Sequence, residues 1–210
     1  MDVGAHSGRG SALLILGCTL LALLLGGCAS DRSSPAGGAA SSAPHRTVTH
    51  TFSAYRADGQ LAVTVGDVAS GNCWTSSVAA PGTATYRCFA GNKILDPCFA
   101  PPRATTPAEV ACVAAPWSDA VVLHLTSPLP KAPGSTDVVR PWAFRLDNGI
   151  RCVASTGTVP AVHGVNLGYH CTDGRAASLR DATAPLVTAD YGDPAAQTLQ
   201  SVTVATIWAG

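Results

Sequence analysis

The chain has 210 residues, with 13 basic and 13 acidic side chains and only 12% charged residues in all. That length allows one compact domain plus extensions. The balanced, sparse charge leaves no footprint for nucleic acid or for an anionic membrane surface. Glu109 is the only glutamate, and Lys93 and Lys131 are the only lysines. Two strong helix formers are therefore almost missing, while Val and Thr are plentiful, and the composition leans towards strands.

At the N-terminus, Ser11 to Leu25 is a nearly unbroken apolar run after a weakly basic start (His6, Arg9). A membrane-spanning helix needs about 20 such residues, so the run reads as the apolar region of an export signal. Leu25-Gly26-Gly27-Cys28 follows and resembles the lipobox of bacterial lipoproteins. The resemblance implies cleavage before Cys28 and a diacylglyceryl group on its thiol. Cysteine parity agrees. Of eight cysteines, cleavage there discards Cys18 and lipidates Cys28, leaving six that can all pair. The alternative is a plain secretory signal cleaved nearby.

From Ala29 to about Pro44 the chain is almost all Ser, Ala, Gly and Pro. Such a segment cannot bury enough apolar surface to offset its ordering entropy, and it reads as a tether. His45 and His50 beyond it are expected to be solvated and not metal ligands. The organisation expected is a signal peptide over 1–27, a lipidated cysteine and tether over 28–46, and a single β-rich domain over 47–210.

Within that domain three turn signals stand out: Asp58-Gly59, Asp147-Asn148-Gly149 and Asp173-Gly174. Asp-Gly and Asn-Gly tolerate the positive φ of tight hairpin turns, so each marks a candidate hairpin. Further strands are expected at Ile94 to Phe99, Val110 to Ala114, Val121 to Leu125 and Val202 to Trp208. Thr85 to Ala90 could form a short helical turn before Gly91-Asn92. Pro-rich Phe99 to Pro107 and Ser127 to Pro133 read as loops. The fold class expected is mainly β: a disulfide-stapled antiparallel sandwich or barrel built from hairpins, with room for one short helix.

Six cysteines allow fifteen connectivities. The preferred pairing joins nearest neighbours: Cys73–Cys88, Cys98–Cys112 and Cys152–Cys171. Each bond would contribute about 3 kcal/mol by loop-closure entropy. A zinc or redox site would need Cys-x2-Cys or Cys/His spacings that the chain lacks. No metal and no cofactor is expected.

The pattern Cys73-Trp74, Arg87-Cys88, Asp96-Pro97-Cys98-Phe99, Pro141-Trp142, Cys152 and Tyr169-x-Cys171-x-Asp173-Gly174 resembles a group of exported actinobacterial cysteine-stapled proteins. The resemblance covers about residues 70 to 175. It implies a shared stapled fold and export, and it brings no catalytic residues with it.

Local motifs for serine hydrolysis, zinc peptidases, phosphate loops and calcium loops are missing from the sequence. The candidate binding residues are Trp117, His163 and His170. Trp117 sits between Pro116 and Ser118 in an expected loop, where an exposed indole suits a partner or a sugar ring. His170 lies beside Cys171 on an expected strand, and His163 in the loop before it could approach. Together the two could bind a metal or move protons. Trp74 and Trp142 are expected to pack in the core against disulfides. Asp96 is expected to cap a turn, and Asp147 and Asp173 are expected to sit in hairpin turns.

The function expected is a lipid-anchored extracytoplasmic binding or accessory protein of the cell envelope. The expected partners are the membrane, through the lipid on Cys28, and an envelope protein or cell-wall glycan, with no nucleic acid. The alternatives are an envelope hydrolase whose site is set by geometry alone, and a purely structural envelope protein.

Overall fold

A computed structural model describes residues 46–82, 84–131 and 140–210. The signal segment and Cys28 lie outside the described residues. β1 (Val48–Thr51) is followed by a first closed barrel of five strands: β2 (Val65–Ser76), β3 (Thr85–Ala90), β4 (Lys93–Phe99), β5 (Glu109–Cys112) and β6 (Ala120–Leu125). Neighbours in this barrel run antiparallel, and it closes where β2 pairs parallel to β6.

The second half comprises β7 (Pro141–Leu146), β8 (Arg151–Ala154), β9 (Ala161–Val162), β10 (Val165–Asn166), β11 (Tyr169–Cys171), β12 (Ala176–Leu179), β13 (Thr188–Asp193) and β14 (Thr198–Ala209). Its sheet runs β1-β14-β13-β12-β11-β8-β7, with β14 also paired to β7. The long β14 makes this closure possible. Its first half pairs with β13, and its second half pairs with β7 and, in parallel, with β1. Closed barrels leave no edge between their first and last strands, which is how all-β chains avoid open pairing sites.

The described residues contain no helix. Thr85–Ala90, expected as a helical turn, is strand β3, with Tyr86 and Cys88 turned inward and Phe89 outward. Period-two burial and a half-cystine facing another strand outweigh any local helical tendency. The three turn signals do make turns. Gly149 and Gly174, at φ 88° and 84°, close the β7–β8 and β11–β12 hairpins. The Asp58-Gly59 turn closes no ladder longer than the bridge between Tyr55 and Leu61. It is held by Gly59 N–H donating to the Arg56 carbonyl at 2.9 Å and Arg56 N–H donating to the Gln60 carbonyl at 2.8 Å.

All three nearest-neighbour disulfides are formed. Each joins residues directly opposite on adjacent strands: Cys73 with Cys88, Cys98 with Cys112, and Cys171 with Cys152. In the first barrel they are the core itself. Its buried cluster is Cys73, Cys88, Cys98 and Cys112 with Tyr86, Val110 and Leu123. A barrel this small encloses little apolar area, so covalent bonds take over part of the stabilisation.

The second barrel is filled more conventionally by Phe144, Leu146, Tyr169, Tyr191, Val204 and Ile207 around Cys152–Cys171. A third cluster joins the two barrels. Trp142, fully buried, meets Phe52 edge-on at 5.3 Å, and Phe52 packs on Phe99 at 5.3 Å. The expectation that Trp142 is core holds, but its neighbours are these aromatics and not a disulfide. A polar tie crosses the same junction, with Arg87 Nη2 donating to the Thr156 carbonyl at 3.0 Å.

Two buried tyrosines make a paired prediction. Tyr169 Oη donates to the Pro141 carbonyl at 2.6 Å, whereas Tyr55 Oη has no hydrogen-bond partner among the described residues. Tyr169→Phe should cost about 1 kcal/mol in urea denaturation, while Tyr55→Phe should be neutral or stabilising. Burial pushes both phenols up to about 12, with Glu109 adding to the shift at Tyr55 and Arg140 opposing it at Tyr169. A raised phenol pKa favours the fold below pH 10, the ordinary value. That contribution is lost as pH climbs from 10 through about 12. The double Phe variant should therefore show a shallower alkaline loss of stability; an unchanged profile would contradict this account.

Candidate functional site

Strand alternation decides where the candidate residues point. Cys73 must face inward to reach Cys88, so its neighbour Trp74 faces out. Trp74 is 43% exposed and meets Phe89 at a tilt, 5.6 Å between ring centres, with the Arg87 guanidinium 5.7 Å from its ring centre. This corrects the expectation of a core Trp74. Trp117 is half-buried. Trp208 meets it edge-on at 5.4 Å, and the Arg151 guanidinium lies 5.1 Å from its ring centre. Its surfaces are already largely engaged.

The same rule places His170. Tyr169 and Cys171 face the core, and His170 between them is exposed, its Nδ1 3.5 Å from Ser155 Oγ. His163 lies in the β9–β10 turn at φ 49°, and its Nε2 donates to the Gln197 carbonyl at 3.0 Å. The two imidazoles thus contact different parts of the second barrel. His50 is exposed and stacks on Trp208 at 6.0 Å. Among the described residues, the one group spaced to hold a metal is Cys88, Cys98 and Cys112. All three are tied up in disulfides, whereas metal ligation needs free thiolates.

The acids serve structure. Asp173 Oδ1 accepts from the Arg175 backbone N–H at 3.3 Å within its turn, and Asp173 Oδ2 accepts from the Tyr191 hydroxyl. Asp96 ties the loop after β2 to β4. Its Oδ1 accepts from Ser77 Oγ at 2.5 Å and its Oδ2 from the Val78 N–H at 3.1 Å.

That loop forms one wall of a cleft of about 520 Å³ at the junction of the barrels. Such a volume lies within the range of small-molecule sites, roughly 300–1,000 Å³. Val78 and Ala79 contribute from the first barrel, and Ala154, Ser155, Tyr169, Leu179 and Arg180 from the second. Arg140 and Arg180 bring positive charge to it. Asp190 holds Arg180 in place, accepting from Nη2 at 2.6 Å and from Nε at 3.1 Å. At the cleft, Tyr169 is locked by its bond to Pro141.

Of the candidate binding residues, only His170 approaches this cleft, through Ser155. The residues that build it carry no local motif, and β13, the strand that brings Asp190 to Arg180, was not among those expected. No family model, curated protein or solved structure matches the chain.

Proposed function

We propose that the chain is a lipid-anchored extracytoplasmic binding or accessory protein of the cell envelope, taking its ligand in the cleft between the barrels. The observation that carries the reading is the cleft. It is a concave, ligand-sized seat with mixed apolar and polar walls, set between two disulfide-stapled barrels that keep it preformed. The envelope location draws support from the apolar run, the Leu25-Gly26-Gly27-Cys28 motif and the tether. Three formed disulfides also suit an oxidising compartment.

The test is photo-cross-linking in cells, using the full-length protein with a photoreactive side chain at Val78 on the cleft. A second probe at Val68, exposed on the outside of the first barrel, serves as control. A specific adduct from Val78, missing from Val68 and reduced by Cys28→Ala, is the expected result. Equal capture from both positions would remove the case for the cleft.

One contact favours a second reading, an envelope hydrolase. Ser155 lines the cleft with His170 Nδ1 3.5 Å from its hydroxyl, a contact that would have to tighten on substrate binding to serve as nucleophile and base. On that reading a fluorophosphonate probe labels Ser155 in the intact protein and ceases to do so in His170→Ala. An unlabelled Ser155 sinks it.

A further inference from the structure

We infer that the cleft selects a small amphiphilic anion, a carboxylate or phosphate head on an apolar body; this rests on the cleft being the binding seat. Three features of its lining point to that chemistry. First, Arg140 and Arg180 line it, and no carboxylate does among the described residues. Asp190 pairs with the Arg180 charge, whereas no ion pair to Arg140 is present among the described residues. Second, Arg140 stands close enough to Tyr169, which also lines the cleft, to favour its ionised form and so oppose the effect of burial. An anion placed there gains the same attraction, in surroundings less polar than water.

Third, the remaining surface divides by character. Val78, Val159 and Leu179 are apolar, and Val78 is 50% exposed although it lies beside the buried Ala79. An apolar group of a ligand covers such surface favourably. Ser155 and Ser178 add hydroxyls able to donate to head-group oxygens, while the Thr183 hydroxyl is already committed to Asp181 at 2.6 Å. A guanidinium, hydroxyl donors and an apolar wall within one cleft match an anionic head and a short hydrocarbon body together.

The experiment uses the full-length protein in lipid nanodiscs and four probes of equal chain length: hexanoate, hexyl phosphate, hexylammonium and hexanol. Binding is read from the methyl NMR resonances of Val78, Val159 and Leu179, so that probe dissolved in the lipid does not count. The anions should saturate at roughly tenfold lower concentration than hexylammonium, because attraction of one head and repulsion of the other add. Comparing hexanoate with hexyl phosphate shows which head is preferred. Arg140→Gln should collapse the gap between anion and cation while leaving the shifts in place, and Val78→Asp should abolish binding of both anions. If hexylammonium or hexanol binds as tightly as the anions, the choice of an anion is wrong and the cleft remains a seat. If no probe moves these methyls, the inference fails, and the Val78 cross-link decides whether the cleft reading fails with it.

Discussion

Asp96→Ala is expected to destabilise the protein by about 3–5 kcal/mol, the cost of stranding a partner of a buried ion pair. The Asp96 side chain is 1% exposed and has Arg87 Nε at 3.8 Å. It also accepts from Ser77 Oγ and from the N–H groups of Val78 and Ala79, at 2.5, 3.1 and 3.5 Å. Truncation removes every one of these acceptors at once. Arg87 Nε is buried with no hydrogen-bond partner among the described residues, so Asp96 is its main compensation. Asp96→Asn should cost clearly less, since its amide oxygen can still accept from the loop. The damage should also reach the cleft, because the loop held by Asp96 supplies Val78 and Ala79. Urea denaturation of both variants checks the order, and a loss below about 1 kcal/mol for Asp96→Ala would contradict the assignment.

The second large effect concerns the disulfides. They close loops of 15, 14 and 19 residues by sequence separation. At about 3 kcal/mol each, the three contribute about 9 kcal/mol, set against a typical net stability of about 5–15 kcal/mol. A chain reduced in denaturant and blocked with iodoacetamide should therefore fail to refold, as read by near-ultraviolet circular dichroism. The first barrel should suffer most. Four of the seven residues in its buried cluster are half-cystines, and alkylation fills that space with bulk it cannot hold. A Cys152→Ala/Cys171→Ala double variant should lose only about 3 kcal/mol, because Phe144, Tyr169 and Tyr191 still fill the second barrel. Native-like refolding of the blocked chain would contradict this division.

Local chemistry was readable and long-range closure was not. Asp147-Asn148-Gly149 announces its hairpin because only a few residues adopt the turn's positive φ, and Gly149 does so at 88°. Nearest-neighbour pairing of the cysteines is one choice among fifteen connectivities in the sequence; only the structure shows that each bond bridges adjacent strands. What the sequence does not display is that β2 closes on β6 and β7 on β14. Those pairings join segments far apart in the chain and leave no local pattern, so one β-rich stretch resolves into two barrels only in three dimensions. Trp74 was misplaced for an avoidable reason: a neighbour of an inward cysteine on a strand faces outward. Trp117 looked free in a loop, yet Trp208 and Arg151, both distant in sequence, cover it. The cleft was illegible for the same reason, as Val78, Ser155 and Arg180 meet only once both barrels are built.

The most direct measurement is hydrogen–deuterium exchange of the full-length protein, with and without the small-molecule fraction of an envelope extract. Binding in the cleft predicts slowed exchange at residues 78–79, 154–155 and 179–183, with the outer face of the first barrel unchanged. Protection confined to the exposed Trp74, Phe89 and Ile94 face, or no protection anywhere, would contradict the account.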